Sequence, residues 1–531
     1  MSSNIKLIKK CFINLPFALS CFIFNYITIN ADNAFFEIFK NYTVVFPLGA
    51  ALIALQYAIF KDNLYNFFMS RTTVNKILSI LGTIGIAHFY LTKLEVLHNI
   101  EYSIIFYIMT AISIAPFITI LLSKLYSYLE KIFKIIEKDI TKYDKITIAV
   151  ISILLFILLV FTFMKASVFY TSNKLEADIV YTSDTLPLIK HNAWMNIYHW
   201  ENDIRQPLFA VFSAPFVAPI YGITCWMQNT SEMIVPLTIG ISNIFLLVLS
   251  AYVLSTLLEK GNNRVGFMMF YISTFSVLLF SIMLEQYVST LFWIVLLIYM
   301  YINNIEEREL AYTAAVGTLI TNGILLPLVC NIKNGFKNNL IKMITAIAYV
   351  ISILLAFSRF DIMIIFSLRL KYLMQFSGSS LTFLQKIIQY SHFIPNCFIA
   401  INDGAVPGLY WKLASLTSIN VFGIIMIIIC FISFILNRKD KLSRICFGWI
   451  LFSFIIMCVV GWGTRENGLV LYSLYFSWAV VILIYKFIKH LIDRIKMKRF
   501  LNIVMITISI SLFTYNLYDL IKMINYLAQF K

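Results

Sequence analysis

The sequence predicts an all-α polytopic membrane protein of about 13 transmembrane helices, with a large extracytoplasmic loop carrying short interfacial helices. Three observations predict it. Hydrophobic residues make up 60% of the 531-residue chain and charged ones only 13%. The mean hydropathy is +0.84. Apolar runs of membrane-spanning length recur from end to end, and a hydrocarbon core about 30 Å thick takes roughly 20 helical residues to cross.

In order, these runs lie near 11–30, 42–60, 77–92, 103–123, 146–166, 234–257, 265–283, 286–303, 342–358, 419–437, 445–463, 468–486 and 500–517. The first lacks a small-residue cleavage site and is followed by Asn30-Ala31-Asp32-Asn33, so it reads as a retained span that doubles as the insertion signal. The run 311–330 is apolar enough to cross, yet basic or acidic connections of cytoplasmic type flank it on both sides. Gly317 and the Thr321-Asn322-Gly323 interruption mark it as re-entrant or broken, a backbone tolerated at membrane depth only where protein or a cavity covers it. Residues 207–224 are apolar too, but Pro215, Pro219 and Gly222 argue against a straight spanning helix, and an interfacial helix starting at Pro207 fits better.

The net charge of +16 would point to nucleic acid only if the basic residues shared one folded face. They lie instead in the short connections, which reports topology, because cytoplasmic loops collect Lys and Arg. Lys6, Lys9 and Lys10; Lys61, Arg71 and Lys76; Lys124 to Lys145; Lys260 and Arg264; Arg438 to Arg444; and Lys486 to Arg499 all read as inside. The N-terminus is then cytoplasmic, and the 167–233 loop, with Glu176, Asp178, Asp184, Glu201 and Asp203, faces out of the cell membrane. The eight cysteines show no Cys-x-x-Cys spacing and lie mostly in apolar runs, so neither a disulfide framework nor a zinc site is indicated.

The organisation that follows is a four-span extension at 1–123, a basic linker at 124–145, a transmembrane core at 146–358 with the outer loop 167–233, a second outer loop at 359–418, and C-terminal helices at 419–531. In the linker, Ile132, Phe133, Ile135, Ile136 and Ile140 alternate with lysines. That pattern suits an amphipathic helix on the anionic inner leaflet or a solvated connection.

The outer loop carries the chemistry. It reads Tyr181-Thr182-Ser183-Asp184-Thr185 soon after a span and Arg205-Gln206-Pro207-Leu208-Phe209 before an apolar stretch, and a further acid stands at Met283-Leu284-Glu285-Gln286-Tyr287. This order resembles the GT-C glycosyltransferase superfamily, whose first large outer loop carries an acid soon after a span and then a His-Pro-Pro-Leu-like motif. The resemblance covers roughly 146–303. Arg205-Gln206 stands where His-Pro is usual, and a lone Asp184 where an acidic pair is often found.

The resemblance implies transfer of a sugar from a polyprenyl-phosphate carrier to an envelope glycan, glycolipid or protein acceptor, with inversion at the anomeric carbon. Asp184 would take the acceptor's proton, aided by Glu285 and Asp203; an ordinary carboxyl titrates near ~4, so desolvation or a divalent ion, Mg or Mn, at Asp184 would have to help. Arg205, Arg359, Arg369, Lys371 and Arg465 would bind the donor phosphate, with Lys386 and Lys412 as further cations of the second outer loop. Structural roles compete for each residue: a solvated acid for Asp184, helix capping for Glu285 and Asp203, lipid headgroup contacts for the cations, and interfacial anchoring for His191 and His199. The rival functions are a polysaccharide polymerase or O-antigen ligase, whose signal would lie in the C-terminal loop, and a transporter or flippase, which predicts ionisable residues at mid-membrane.

Overall fold

The computed structural model describes residues 68–98, 104–171, 180–181, 183–196, 205–225, 233–331, 335–356, 374, 377, 381–401, 403–405, 411–413, 418–464, 468–497 and 500–530. Nearly all of these residues are helical; one two-stranded antiparallel pairing joins Asp403–Ala405 to Trp411–Leu413. Among the described residues, five helices are long and apolar enough to cross a membrane: Lys142–Lys165, Ile234–Leu258, Lys441–Val460, Leu469–Arg494 and Leu501–Phe530. A sixth span is possible as a bent pair, Gly261–Ile272 and Phe275–Ile282, which meet at 68°. The expected runs 11–30 and 42–60 lie outside the described residues. Others of the about thirteen predicted from length emerge as shorter apolar helices, among them Tyr287–Ile302 and Val421–Leu436.

The helix starts obey local chemistry. Helix α3 (Lys142–Lys165) opens with a reciprocal capping box between Thr141 and Asp144. Thr382 and Gln385 do the same for α12 (Phe383–Asn396), and Asp440 caps α14 (Lys441–Phe454) through the Ser443 N–H. Outward faces of α3 and α13 (Val421–Leu436) present rows of exposed Ile, Leu, Phe and Val, including Ile153 and Ile428. Side chains so apolar on an outer surface are matched to lipid rather than water. The centre is α9 (Tyr287–Ile302), whose Val288 to Ile298 are buried on every side.

Ion pairs gather at one end of the bundle. Arg264 meets Asp144 at 3.2 Å, with both side chains buried, and also donates to the Asp139 carbonyl at 2.7 Å. Lys489 pairs with Glu259, Lys486 with Asp440, and Lys131 with Glu307 at 2.8 Å. The 104–137 region is one helix, α2 (Ile104–Glu137), which runs from the predicted span into the basic linker. Its stripe Leu122, Leu125, Leu129, Ile132 and Ile136, spaced three and four apart, is buried. Of the linker's apolar residues, Ile132 and Ile136 therefore pack on protein, Phe133 and Ile140 are half-buried against it, and Ile135 stays exposed.

Two further segments depart from simple crossings. Helix α10 (Arg308–Thr318) enters and the 3-10 segment Ile320–Val329 returns: Arg308 donates to the carbonyls of Leu328 and Cys330 at 3.2 and 2.7 Å, so the chain comes back to the end it left. The re-entrant reading of 311–330 agrees with this geometry. Helix α5 (Phe209–Cys225) continues through Pro215 and Pro219 without a break. Pro219 has no N–H for the carbonyl four residues back, and that carbonyl, of Pro215, accepts instead from the Tyr126 hydroxyl at 2.6 Å. The prolines thus do not end the helix, which at 17 residues is short for a span.

Candidate active site

Each functional side chain is delivered by a different irregularity. Asp184 stands at the start of the short helix α4 (Thr185–Lys190), and its side chain makes no capping hydrogen bond, so its carboxylate is not consumed in ending the helix. Arg205 lies just before α5, and the tip of the re-entrant segment holds its backbone: the Ile320 N–H donates to the Arg205 carbonyl and the Leu208 N–H to the Gly317 carbonyl, both at 2.8 Å. Glu285 lies in the turn between α8 (Phe275–Ile282) and α9.

The position of that turn depends on the break between α7 (Arg264–Ile272) and α8. A break at depth frees backbone groups that lipid cannot satisfy. Asn516, on α16 (Leu501–Leu527), donates to the carbonyls of Ser273 and Phe398 at 2.9 and 2.7 Å and accepts from the Ala400 N–H at 3.2 Å. The Phe275 N–H donates to the same Phe398 carbonyl at 2.8 Å. At the far end of α8, the Tyr170 hydroxyl holds the Ile282 carbonyl at 2.7 Å. Both ends of α8 are therefore pinned, and the chain leaving it carries Glu285 to Asp184.

There the acids separated by a hundred positions meet. The Glu285 carboxylate faces the backbone N–H groups of Asp184 and Gln286, and Arg205 Nη2 lies 3.9 Å from Asp184 Oδ2. That is an ion pair, but too long for a hydrogen bond. Glu285 is almost wholly buried, and its Oε1 has no hydrogen-bond partner; the buried Nε of Arg205 has none either. Burial raises the Asp184 carboxyl above the usual range, with Arg205 pulling it partly back. The side chain of Asp184 keeps 32% of its surface exposed, so water tempers that effect. Glu285 is pushed well above the glutamate range, first by burial and then by the negative charge of Asp184. Charge on either carboxyl opposes ionisation of the other, so the pair loses its protons in two separate steps.

Arg205 forms one wall of a cavity of about 160 Å³. Tyr287, Tyr472, Tyr475 and Trp462 continue the wall, and Phe452, Ile456, Met457 and Val460 complete its apolar end. The last three belong to a π-helical turn, Ile455–Val460, which leads to the exposed Val459 on the bundle's outside. Several polar groups here bind each other: the Trp462 indole donates to the Tyr472 hydroxyl at 2.8 Å, and the Tyr475 hydroxyl donates to Asn322 Oδ1 at 2.7 Å. The lining that remains is mostly hydrocarbon and aromatic, with the Arg205 guanidinium at its edge and Gln206, Thr321 and the Tyr287 hydroxyl as its other polar groups. Asp184 and Glu285 stand behind that guanidinium rather than on the cavity wall.

Asp203, Arg359, Arg369, Lys371, Arg465 and His199 lie outside the described residues. Lys386 is buried on α12, and His191 is exposed after α4. Lys412 belongs to the short strand Trp411–Leu413. The sequence did not single out Asn516, Tyr472 or Tyr475, and marked Asn322 only as part of the Thr321-Asn322-Gly323 interruption. Tyr287 and Trp462 carried a signal, through Glu285-Gln286-Tyr287 and Gly461-Trp462-Gly463-Thr464-Arg465.

Among the described residues no three His, Cys, Asp or Glu side chains cluster as metal ligands. Two carboxyl groups with an orphan buried oxygen do match what Mg²⁺ takes from a protein when phosphate and water fill the rest of its shell. Comparison with protein-family models, with curated proteins and with solved structures returned no match.

Proposed function

We propose that this protein is an integral-membrane glycosyltransferase with about thirteen crossings in the arrangement expected of the GT-C superfamily. In this reading it moves a sugar from a polyprenyl-phosphate carrier to an envelope glycan, glycolipid or protein on the extracytoplasmic face of the cell membrane. The observation that carries the reading is the cavity with Arg205 at its head: a largely apolar, aromatic recess with a half-buried guanidinium whose buried Nε–H is unspent. An anion with a hydrocarbon tail satisfies both halves of such a site, since guanidinium pairs with phosphate through charge-assisted hydrogen bonds. A soluble sugar nucleotide matches only one half.

The chemistry assigned to the residues is a single displacement. The acceptor hydroxyl oxygen bonds to the anomeric carbon as the bond from that carbon to the phosphate oxygen breaks, which inverts the centre. The hydroxyl proton passes to the Asp184 carboxylate, which is the stronger base for being raised by burial. The bonding electrons leave on the polyprenyl phosphate, whose gathering charge Arg205 offsets. Glu285 accepts from the Asp184 backbone N–H and so holds that turn, and burial disfavours a second negative charge there. If Mg²⁺ or Mn²⁺ takes part, Asp184 and Glu285 would hold it, and the ion would polarise phosphate oxygens.

The re-entrant 308–329 hairpin and the bent pair at 273–274 favour a second reading, a lipid-linked sugar transporter, because interrupted helices also build substrate pathways. One reconstitution separates the two. Protein in vesicles receives radiolabelled polyprenyl-phosphate sugars and acceptor lipids, and wild type is compared with Asp184→Asn. Loss of a proton-accepting carboxylate should cut transfer by roughly 10²-fold or more. Equal transfer by both proteins would remove Asp184 as the base, and movement of the label across the bilayer without a new glycosidic bond would support the transporter.

A further inference from the structure

We infer that Tyr287 is a second head-group ligand of the same site, donating its phenolic hydrogen to a phosphate oxygen that Arg205 leaves unbound; this rests on the lipid-phosphate reading of the cavity. Three cavity tyrosines stand together, with the Tyr287 ring 5.6 Å from that of Tyr472 and 6.3 Å from that of Tyr475. One has spent its hydrogen, since the Tyr475 hydroxyl donates to Asn322; the Tyr472 hydroxyl is fixed in place by accepting from Trp462, itself paired through its backbone with Ser377. Tyr287 is 5% exposed and lines the cavity, and among the described residues its hydroxyl makes no hydrogen bond. A nearly buried phenol that opens onto a cavity takes its hydrogen-bond partner from whatever fills that cavity.

Its place in the chain argues for an anion as that ligand. Tyr287 opens α9 two residues after Glu285, and Arg205 lines the same recess. An oxygen anion bound by Arg205 there meets a neutral O–H donor beside the cation. A neutral sugar hydroxyl would find Gln206 and Thr321 as its other polar neighbours but would leave the guanidinium charge unmatched. The phenol thus fixes the direction of an amphiphile: phosphate between Arg205 and Tyr287, chain toward Ile456 and Val460.

Farnesyl phosphate and farnesol serve as probes that differ only in the head group. Each is titrated into wild type and Tyr287→Phe in lipid nanodiscs, reading tryptophan fluorescence, since Trp462 lines the cavity. Removing one hydrogen bond to a charged oxygen should weaken farnesyl phosphate by about 10-fold and leave farnesol unchanged. Equal weakening of both probes would make Tyr287 a wall residue only, and unchanged binding of both would deny it any contact; either result overturns the assignment. If wild type binds farnesyl phosphate no better than farnesol, the lipid-phosphate reading itself falls. Binding that depends on Arg205 but not on Tyr287 retains that reading while rejecting this inference.

Discussion

Glu285 carries a consequence that does not depend on any substrate. Burial holds its carboxyl protonated well above the range where a solvated glutamate ionises, near ~4.3. A folded-state pKa raised above the unfolded one contributes stability in full below the unfolded value and loses it as pH rises through the folded value. Apparent melting temperature in detergent should therefore decline as pH rises above about 4, and Glu285→Gln, which keeps the shape and has no proton to lose, should flatten that decline. Parallel profiles for the two proteins would mean Glu285 is not the strained acid. Part of the slope should persist in the variant, because Asp184 is also raised and acts in the same sense. Both acids, and Arg205, were legible in the sequence because their residue types are rare in apolar surroundings and each stood in a recognisable motif. The cavity phenols were not, since 30 tyrosines in 531 positions give no local cue to the few that face inward together.

At the level of elements, the helices themselves followed from apolar run length, and the re-entrant hairpin from Gly317 and Thr321-Asn322-Gly323 interrupting such a run. What stayed hidden was every feature set by a distant partner. The course of α5 past Pro219 depends on Tyr126, and the α7–α8 break depends on Asn516, more than 200 positions away. No window of sequence contains both members of either pair. The Asn516 clamp makes a quantitative test of how the break is held. Asn516→Leu strips the Ser273 carbonyl and the Ala400 N–H of their Asn516 partner and leaves the Phe398 carbonyl with the Phe275 N–H alone. The cost of each is tempered because the unfolded chain in lipid also finds partners, so the sum should be about 2 to 4 kcal/mol. Thermal or denaturant unfolding reads it directly, and a loss under about 0.5 kcal/mol would show that the surrounding helices alone hold the bend. Because α8 delivers Glu285, the same variant should also disturb the pH dependence of stability described above. An Asn516→Leu protein that is destabilised but keeps its full pH slope would uncouple the clamp from the acid pair.

For the whole molecule, the two ends of the bundle differ in chemistry. One end bears Arg264 with Asp144, Lys489 with Glu259, Lys486 with Asp440 and Lys131 with Glu307; the Asp184 turn follows α3 at the end away from Asp144. Lys and Arg collect on the cytoplasmic side of membrane proteins, and the proposed function accordingly puts the ion-paired end inside and the acid pair outside. Because the charges that set this orientation also tie neighbouring helices together, topology and packing reinforce each other here. A labelling experiment checks it. The exposed His191 follows α4, whereas Asn192 beside it is buried and held at positive φ, which makes His191 the better site for a reporter. In intact cells, His191→Cys should react with a membrane-impermeant maleimide, and Lys439→Cys, in the exposed connection before α14, should react only after permeabilisation. Cys397, Cys430, Cys446 and Cys458 are buried, and the half-exposed Cys330, beside Arg308 at the end proposed to face inside, should stay silent until the cells are opened. The reverse pattern would put Asp184 and Glu285 in the cytoplasm. There the acid pair could not act on a carrier presented at the outer leaflet, and the proposed reaction would have to be abandoned even though the cavity and its guanidinium remained.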